Sequence, residues 1–184
     1  FYEGSAKIPL FFSGKPMEKY KGTDTNKMAT LADVMPTILD LCGIDIPEHV
    51  EGIPLFSEQK HDMIYCEITE NINATRMVHD GRYKLIYYPC GNIKQLFDIK
   101  EDPNELINIS GKQEYIQIEQ KLTSYLIQNL YGGDEKWAVD GDLIGFSEPE
   151  YVNKVDFGLF NQRGMHWPPP TVYSNFGNTF EKKS

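Results

Sequence analysis

The chain has 184 residues, of which 40% are apolar and 24% are charged. Its 27 acidic residues outnumber the 18 basic ones, and the net charge of −9 disfavours binding to nucleic acid or to an anionic membrane surface. No apolar run approaches the roughly 20 residues that a membrane-spanning helix needs. We therefore expect a folded globular chain with one domain or two small ones, and neither a nucleic-acid nor a membrane partner.

Residues 1 to 57 have the pattern of the end of an α/β domain. The apolar run from Ile8 to Phe12 predicts a buried strand. A later stretch repeats apolar residues with the period of an amphipathic helix: Leu31, Val34, Met35, Ile38, Leu39 and Cys42. Asp33 as the N-cap places Pro36 in the first turn, where no helical hydrogen bond is lost, and Gly43 supplies the end of the helix.

Residues 58 to 133 have the pattern of a compact antiparallel sheet with one long helix. Alternation predicts four strands: Met63 to Ile68, Thr75 to His79, Tyr83 to Tyr88 and Lys94 to Asp98. Asp80 and Gly81 are predicted to be the two positive-φ residues of a tight hairpin turn between the second and third strands. A helix is predicted from about residue 111 to 130, with an apolar stripe that covers one face of the sheet.

Residues 134 to 184 show little periodicity and are rich in glycine and aromatic side chains. The run from Trp167 to Pro170 favours a polyproline II conformation. Because Phe157, Phe160 and Tyr173 are costly to leave in water, we expect an extended tail that wraps the body of the protein.

Several short segments, taken in their order along the chain, resemble one enzyme family. They are Tyr2-Glu3-Gly4-Ser5 followed by Lys7-Ile8-Pro9-Leu10, Asp33-x-x-Pro36-Thr37 with Gly52-x-x-Leu55, the Asp80 to Tyr88 hairpin, and Asp102-Pro103-Asn104-Glu105-Leu106 with Asn108. Over roughly residues 1 to 131 the chain resembles the C-terminal portion of type I, formylglycine-dependent sulfatases of the alkaline-phosphatase superfamily. The resemblance implies an α+β fold: the end of an α/β alkaline-phosphatase-like domain, then a small four-stranded antiparallel sheet packed with one long helix, and an irregular tail.

The resemblance also implies a reaction, the hydrolysis of a sulfate ester. Members of that family use a formylglycine made within Cys/Ser-x-Pro-x-Arg and a calcium ion. None of Cys42, Cys66 and Cys90 is followed by x-Pro-x-Arg, and the chain has no Asp-Asp pair or Asp-His-Gly segment. We therefore assign no catalytic residue, no metal ligand and no cofactor to this chain, and expect calcium and formylglycine in a parent enzyme.

The chain starts with Phe1 rather than Met, within one of these segments, and we expect that N-terminal sequence is missing. Its expected partners are the missing N-terminal catalytic part and, through the parent, a small-molecule or glycan sulfate ester. The piece alone is expected to be inactive and to buttress the catalytic domain and line part of the substrate cleft. By resemblance, the parent belongs to the periplasm or is secreted.

Five residues are candidates for the site. Glu3 follows the position of a late catalytic lysine in the resembled family, where it would orient cationic groups; a structural ion pair, for example with Lys7, is the simpler interpretation. Arg76 has a planar guanidinium suited to a sulfated or carboxylated sugar. The simpler interpretation is a solvent-facing residue of a strand. In the tail, Trp167 beside Arg163 and His166 offers a stacking platform for a sugar or aryl ring. The simpler interpretation is that Trp167 is buried and anchors the tail.

Two further hypotheses stay open. The parent is alternatively a phosphodiesterase or phosphonate hydrolase of the same superfamily, because these segments do not report on the nucleophile. The chain is alternatively a stand-alone, non-catalytic binding module. Exposure of Ile8, Leu10, Phe12 and the apolar side of the 31–42 helix would count against the stand-alone module.

Overall fold

A four-stranded antiparallel sheet forms the centre of the described part of the computed structural model, which comprises residues 1–22 and 27–147. Its strands are β1 (Ile64–Ile68), β2 (Thr75–His79), β3 (Tyr83–Tyr88) and β4 (Ile93–Asp98), in the spatial order of the chain. The predicted four-stranded sheet is confirmed, and the predicted bounds agree within one residue. The predicted wrapping tail, with Arg163, His166 and Trp167, lies outside the described residues from position 148 onward.

The turn between β2 and β3 differs from its prediction. Only Gly81 has a positive φ, of +94°, and the Asp80 N–H donates to the Tyr83 carbonyl at 3.1 Å. Gly81 and Arg82 are thus the two central residues, with glycine first, as in type II′ hairpins. Asp80 instead accepts hydrogen bonds from the Arg82 and Tyr83 N–H groups through its carboxylate.

One face of the sheet packs against helix α3 (Ile116–Gln128), which a short 3₁₀ turn precedes. The predicted helix and its apolar stripe are confirmed, although the regular helix is shorter at both ends than predicted. Side chains of α3 and of the sheet form one buried cluster, which includes Val78, Leu85, Leu96, Leu122 and Leu126. Two short strands, β5 (Ala138–Val139) and β6 (Asp142–Leu143), follow α3 and add Leu143 to this cluster.

The opposite face of the sheet carries a second, smaller buried cluster. Met77, Ile86 and Phe97 form it, and Phe1 packs against it. Residues 1–6, which include the four-residue helix α1 (Glu3–Ala6), therefore lie on this face. Because alternate residues of a strand point to opposite faces, both faces of the sheet are covered, one by α3 and one by residues 1–6.

Helix α2 (Val34–Leu41) confirms the helix predicted in the N-terminal region. Pro36 lies in its first turn, and Gly43 follows its end with a φ of +66°. A 3₁₀ turn, Leu31–Asp33, precedes α2, and Thr30 and Asp33 form a capping box there. Asp33 is thus the reciprocal partner of the Thr30 cap, because its carboxylate reaches back to the Thr30 N–H rather than capping α2 itself.

The predicted buried strand from Ile8 to Phe12 is wrong for the described part of the chain. These residues have no regular structure, and Phe11 is 85% exposed. One side of α2 and of the 3₁₀ turn before it is exposed as well, with Ile38 at 49% and Leu31 at 77%. Cys42, which the helical period places among the apolar positions, is exposed too. We call the exposed residues of these two stretches the apolar surface: Ile8, Leu10, Phe11, Leu31, Met35 and Ile38.

Within the ranges 1–22 and 27–147, no helix combines the length and the apolar character needed to span a membrane.

Candidate functional site

Glu3 belongs to a buried cluster of charged groups on the sheet face that residues 1–6 cover. Its Oε1 lies 2.5 Å from Nζ of Lys84, which is on β3 and only 1% exposed. The Lys84 ammonium also donates to Glu105 Oε1 at 2.9 Å and to the Phe1 carbonyl at 3.1 Å. An ammonium has three N–H donors, so these three acceptors satisfy it completely. Glu3 therefore pairs with Lys84 and not with Lys7, which is exposed.

Glu105 is presented to this cluster by an unusual backbone conformation. Its φ is +54°, in the left-handed region that a glutamate seldom adopts, and its N–H donates to the Asp102 carbonyl at 3.0 Å. The second carboxylate oxygen of Glu105 accepts a hydrogen bond from the Glu3 N–H. The turn after Pro103 thus places one carboxylate between Lys84 and the backbone of residues 1–6.

His79 lies on the same sheet face as Lys84 and is largely buried. Burial lowers the pKa of its imidazole, and the nearby Lys84 ammonium lowers it further. Nδ1 of His79 accepts a hydrogen bond from the Gly81 N–H at 2.9 Å and lies 3.2 Å from the sulfur of Met28. Because Nδ1 accepts a hydrogen bond from a backbone N–H, it carries no proton in this arrangement.

Arg76, predicted to face either a ligand or solvent, is buried on the α3 face of the sheet and is only 3% exposed. The solvent-facing interpretation is therefore wrong. Its Nε and Nη2 donate to Asp134 Oδ2 at 3.0 and 2.5 Å, and its Nη1 donates to three backbone carbonyls, including that of Thr75 at 3.0 Å. The guanidinium also stacks over the Trp137 ring, 5.2 Å from its centroid. Every nitrogen of the group has an intramolecular partner, so a ligand anion would have to displace Asp134.

A cleft of about 690 Å³ opens beside Arg76, between the end of β1 and residues 131–137. Its lining combines aromatic and charged side chains: Glu67, Glu70, Arg76, Tyr131, Asp134, Lys136, Trp137 and Phe146. The Tyr131 hydroxyl donates to Glu67, which raises the pKa of Tyr131. Three carboxylates against two cations make this cleft better suited to a neutral ligand than to a sulfated one.

A third cluster is centred on Asp33, which is completely buried. Its carboxylate accepts hydrogen bonds from the N–H groups of Thr30 and Ile53, both at 2.7 Å, and lies 2.9 Å from Nε2 of His61. Thr37 Oγ1 donates to the Asp33 carbonyl at 2.6 Å. This arrangement explains why Asp33 and Thr37 occur together with the Gly52 segment, since it joins the start of α2 to residues 53–61.

The close approach of Gly52 completes this third cluster. A Cβ at position 52 would lie 2.1 Å from the Ala32 carbonyl oxygen, which excludes any other residue without a backbone shift. Thr37 Oγ1 accepts a hydrogen bond from the Leu55 N–H at 2.9 Å. The Gly52-x-x-Leu55 segment is therefore a structural partner of α2.

Within residues 1–22 and 27–147, no three or more His, Cys, Asp and Glu side chains lie together in a way that could hold a metal ion. The carboxylates of Asp98, Glu105 and Asp134 are instead paired with Arg82, Lys84 and Arg76. These three carboxylates thus serve as partners of buried or partly buried cations within the described residues.

Sequence reasoning missed Lys84, Glu105 and Asp134 as members of buried clusters. A lysine between Tyr83 and Leu85 in an otherwise apolar strand was the available signal, because charged residues are rarely buried without a partner. The partners themselves lie 81 and 21 residues from Lys84 along the chain.

Comparison with known proteins gives consistent results. The family model described as N-sulphoglucosamine sulphohydrolase, C-terminal, matches residues 1–131. An arylsulfatase of Clostridium perfringens is 32% identical over 151 residues, which cover 78% of this chain and 31% of that protein. Arylsulfatase K of Homo sapiens is 34% identical over 144 residues, which cover 68% of this chain and 26% of that protein.

One solved structure agrees with the sequence relatives. A 2-O GAG sulfatase superposes with a TM-score of 0.50 and 29% identity, over 60% of this chain and 27% of that one. The chain spans less than a third of the length of each of these three proteins.

Proposed function

Because the chain belongs to the N-sulphoglucosamine sulphohydrolase C-terminal family of sulfatases, we propose that it serves as the C-terminal part of an enzyme that hydrolyses a sulfate ester. In this role it buttresses a catalytic part that precedes it and contributes to one wall of the substrate cleft. In this proposal the formylglycine nucleophile and the calcium ion, which the family resemblance implies, belong to that catalytic part. The proposed substrate class is an aryl or glycan sulfate.

The apolar surface is the observation that carries this proposal. Residues 31, 35 and 38 lie three or four positions apart, so their side chains share one side of the helical segment. Leu31 and Phe11 are 77% and 85% exposed, whereas Asp33 and Thr37 on the other side are completely buried. A helix whose apolar side is the exposed one is typical of an element that packs against another part of the protein.

The same surface argues against a stand-alone module. Ile8 and Leu10 are exposed together with Leu31, Met35 and Ile38, as expected for a region that lacks its partner sheet. Phe12 is partly shielded, because its ring contacts Phe56 edge-on with centroids 5.7 Å apart. An independent binding module would be expected to bury such a surface within itself.

Docking and activity are tested together by splitting the protein encoded by the complete reading frame just before Phe1. The two parts are produced separately, mixed, and assayed with 4-methylumbelliferyl sulfate. We expect no turnover by the present chain alone and restored turnover on mixing. Phe11→Asp and Leu31→Asp are expected to abolish the restoration.

Val139→Asp is the matched control for these two substitutions. Val139 is 51% exposed but belongs to β5, far along the chain from the apolar surface, so its variant is expected to restore turnover like the wild type. Turnover by the chain alone, or equal restoration by all three variants, would contradict the proposal.

A further inference from the structure

Residues 1–6 are held on the sheet by groups from two other segments of the chain. Lys84 comes from β3 and Glu105 from the turn after Pro103, and Lys84 pairs with both Glu105 and Glu3 of α1. Two bonds go to the backbone of the first three residues, at the Phe1 carbonyl and the Glu3 N–H, and one goes to the Glu3 side chain. Bonds to both backbone and side chain fix the rotation of a segment as well as its position.

Further contacts extend the same attachment towards β4. The Tyr2 hydroxyl donates to Gln95 Oε1 at 2.7 Å, and the Tyr2 ring meets Phe97 edge-on with centroids 5.9 Å apart. These contacts are partly exposed or apolar, whereas Lys84 is shielded from solvent. An ion pair in such a site is screened less by salt than a surface pair, and breaking it leaves a buried charge without a partner.

We propose that Lys84 and Glu105 form a clasp that sets the position of residues 1–6, and that Lys84 is thereby a positioning residue for the sulfatase reaction. The part that concerns catalysis rests on the function proposed above. The clasped segment leads within a few residues into Ile8, Leu10 and Phe11 of the apolar surface. Its position therefore decides how that surface is presented to the catalytic part.

The charge balance explains why the clasp fails without its lysine. Lys84 is the cation shared by two carboxylates, Glu3 and Glu105, at 2.5 and 2.9 Å. In Lys84→Met the two carboxylates lose their shared counter-charge, and the Glu105 carboxylate, which is 2% exposed, remains buried without a cation, which is unfavourable. Residues 1–6 then leave the sheet, because Glu3 is on the segment that is free to move.

The first experiment measures amide hydrogen exchange by NMR in the 184-residue chain and does not depend on the enzymatic function. In Lys84→Met we expect the Glu3 amide to exchange about tenfold faster or more, while the Leu85 and Leu96 amides of the sheet are unchanged. The control is Lys121→Met, which removes a 57% exposed lysine paired with Asp80 at 3.2 Å. Unchanged exchange at Glu3 in Lys84→Met overturns the clasp.

Glu3→Ala is the second variant if Lys84→Met does not fold. It leaves the buried pair of Lys84 and Glu105 intact and removes only the side chain on the segment. The Ser5 and Lys7 amides, which donate to the Tyr2 and Glu3 carbonyls, are then expected to lose protection while the sheet keeps it. Retained protection of both amides in Glu3→Ala overturns the clasp.

The second experiment tests the catalytic consequence in the protein of the complete reading frame with 4-methylumbelliferyl sulfate. For Lys84→Met we expect kcat to fall about tenfold to a hundredfold with KM changed less than about twofold. The reason is that the catalytic part is positioned incorrectly while substrate binding is unchanged. Lys84→Arg is expected to keep part of the wild-type kcat, and the control Lys121→Met is expected to keep all of it. An unchanged kcat in Lys84→Met overturns the positioning role, whereas a wild-type protein without sulfatase activity refutes the proposed function and leaves the exchange result to decide the clasp.

Discussion

Replacing Asp33 by Asn changes one atom of a completely buried side chain and removes the centre of the third cluster. The two carboxylate oxygens accept from different backbone groups, Oδ2 from the Thr30 N–H and Oδ1 from the Ile53 N–H, each at 2.7 Å. Asn has a single acceptor oxygen, so one of these N–H groups must face an NH₂ donor. His61 loses an acceptor in the same substitution.

The expected cost follows from these lost contacts. One buried N–H without a partner costs about 1–3 kcal/mol, and hydrogen bonds to a charged acceptor are worth roughly 1.5–3 kcal/mol each. We expect Asp33→Asn to lower the free energy of unfolding by about 2–4 kcal/mol, less than the full sum because the site relaxes.

Urea unfolding followed by circular dichroism measures this loss, with the m-value checked for constancy. Asp40→Asn is the matched control, because Asp40 lies on the same helix and is exposed; its effect should stay within about 0.5 kcal/mol. If Asp33→Asn also changes the unfolding free energy by less than about 0.5 kcal/mol, the third cluster does not join α2 to residues 53–61 in the way described.

Three further substitutions have defined outcomes in the same unfolding assay. Arg76→Met leaves Asp134 without its partner and should cost about 3–5 kcal/mol, and an effect under about 1 kcal/mol would contradict the buried pair. Gly52→Ala should cost about 1–3 kcal/mol or more because its Cβ meets the Ala32 carbonyl, whereas Gly4→Ala, with open space around it, should be nearly neutral. Burial raises the pKa of Glu119, but the Lys94 ammonium and the Gly111 N–H lower it by more, so the pKa of this carboxyl lies below its usual range. Its stabilising contribution is therefore complete above the ordinary glutamate pKa and is lost as the pH falls through the lowered one. Glu119→Gln should thus flatten the stability profile on the acidic side of the ordinary glutamate pKa, and an unchanged slope there would contradict the shift.

Local patterns were sufficient to predict the sheet and its helix. The alternation in Tyr83 to Tyr88 and the glycine at position 81 depend only on neighbouring residues, and they predicted β3 and the hairpin correctly. The error in the turn was one of register, because Asp80 tolerates a positive φ but here serves as a hydrogen-bond acceptor.

Long-range partners could not be predicted in the same way. The run from Ile8 to Phe12 has the composition of a buried strand, yet composition indicates that a segment prefers burial and does not say which element covers it. Arg76 and Lys84 are on neighbouring strands and opposite faces, and each is neutralised by a carboxylate more than 20 residues away along the chain. Individual residues of the candidate site could therefore be predicted from the sequence, but their grouping into clusters could not.

The substrate preference of the protein encoded by the complete reading frame tests the central proposal most directly. Initial rates are compared for 4-methylumbelliferyl sulfate, a phenyl phosphonate monoester and bis-4-nitrophenyl phosphate at equal concentrations. We predict that kcat/KM is highest for the sulfate ester by about tenfold or more. A tenfold preference corresponds to about 1.4 kcal/mol of discrimination in the transition state. A preference for the phosphonate or the phosphodiester, or no hydrolysis of the sulfate ester, would contradict it.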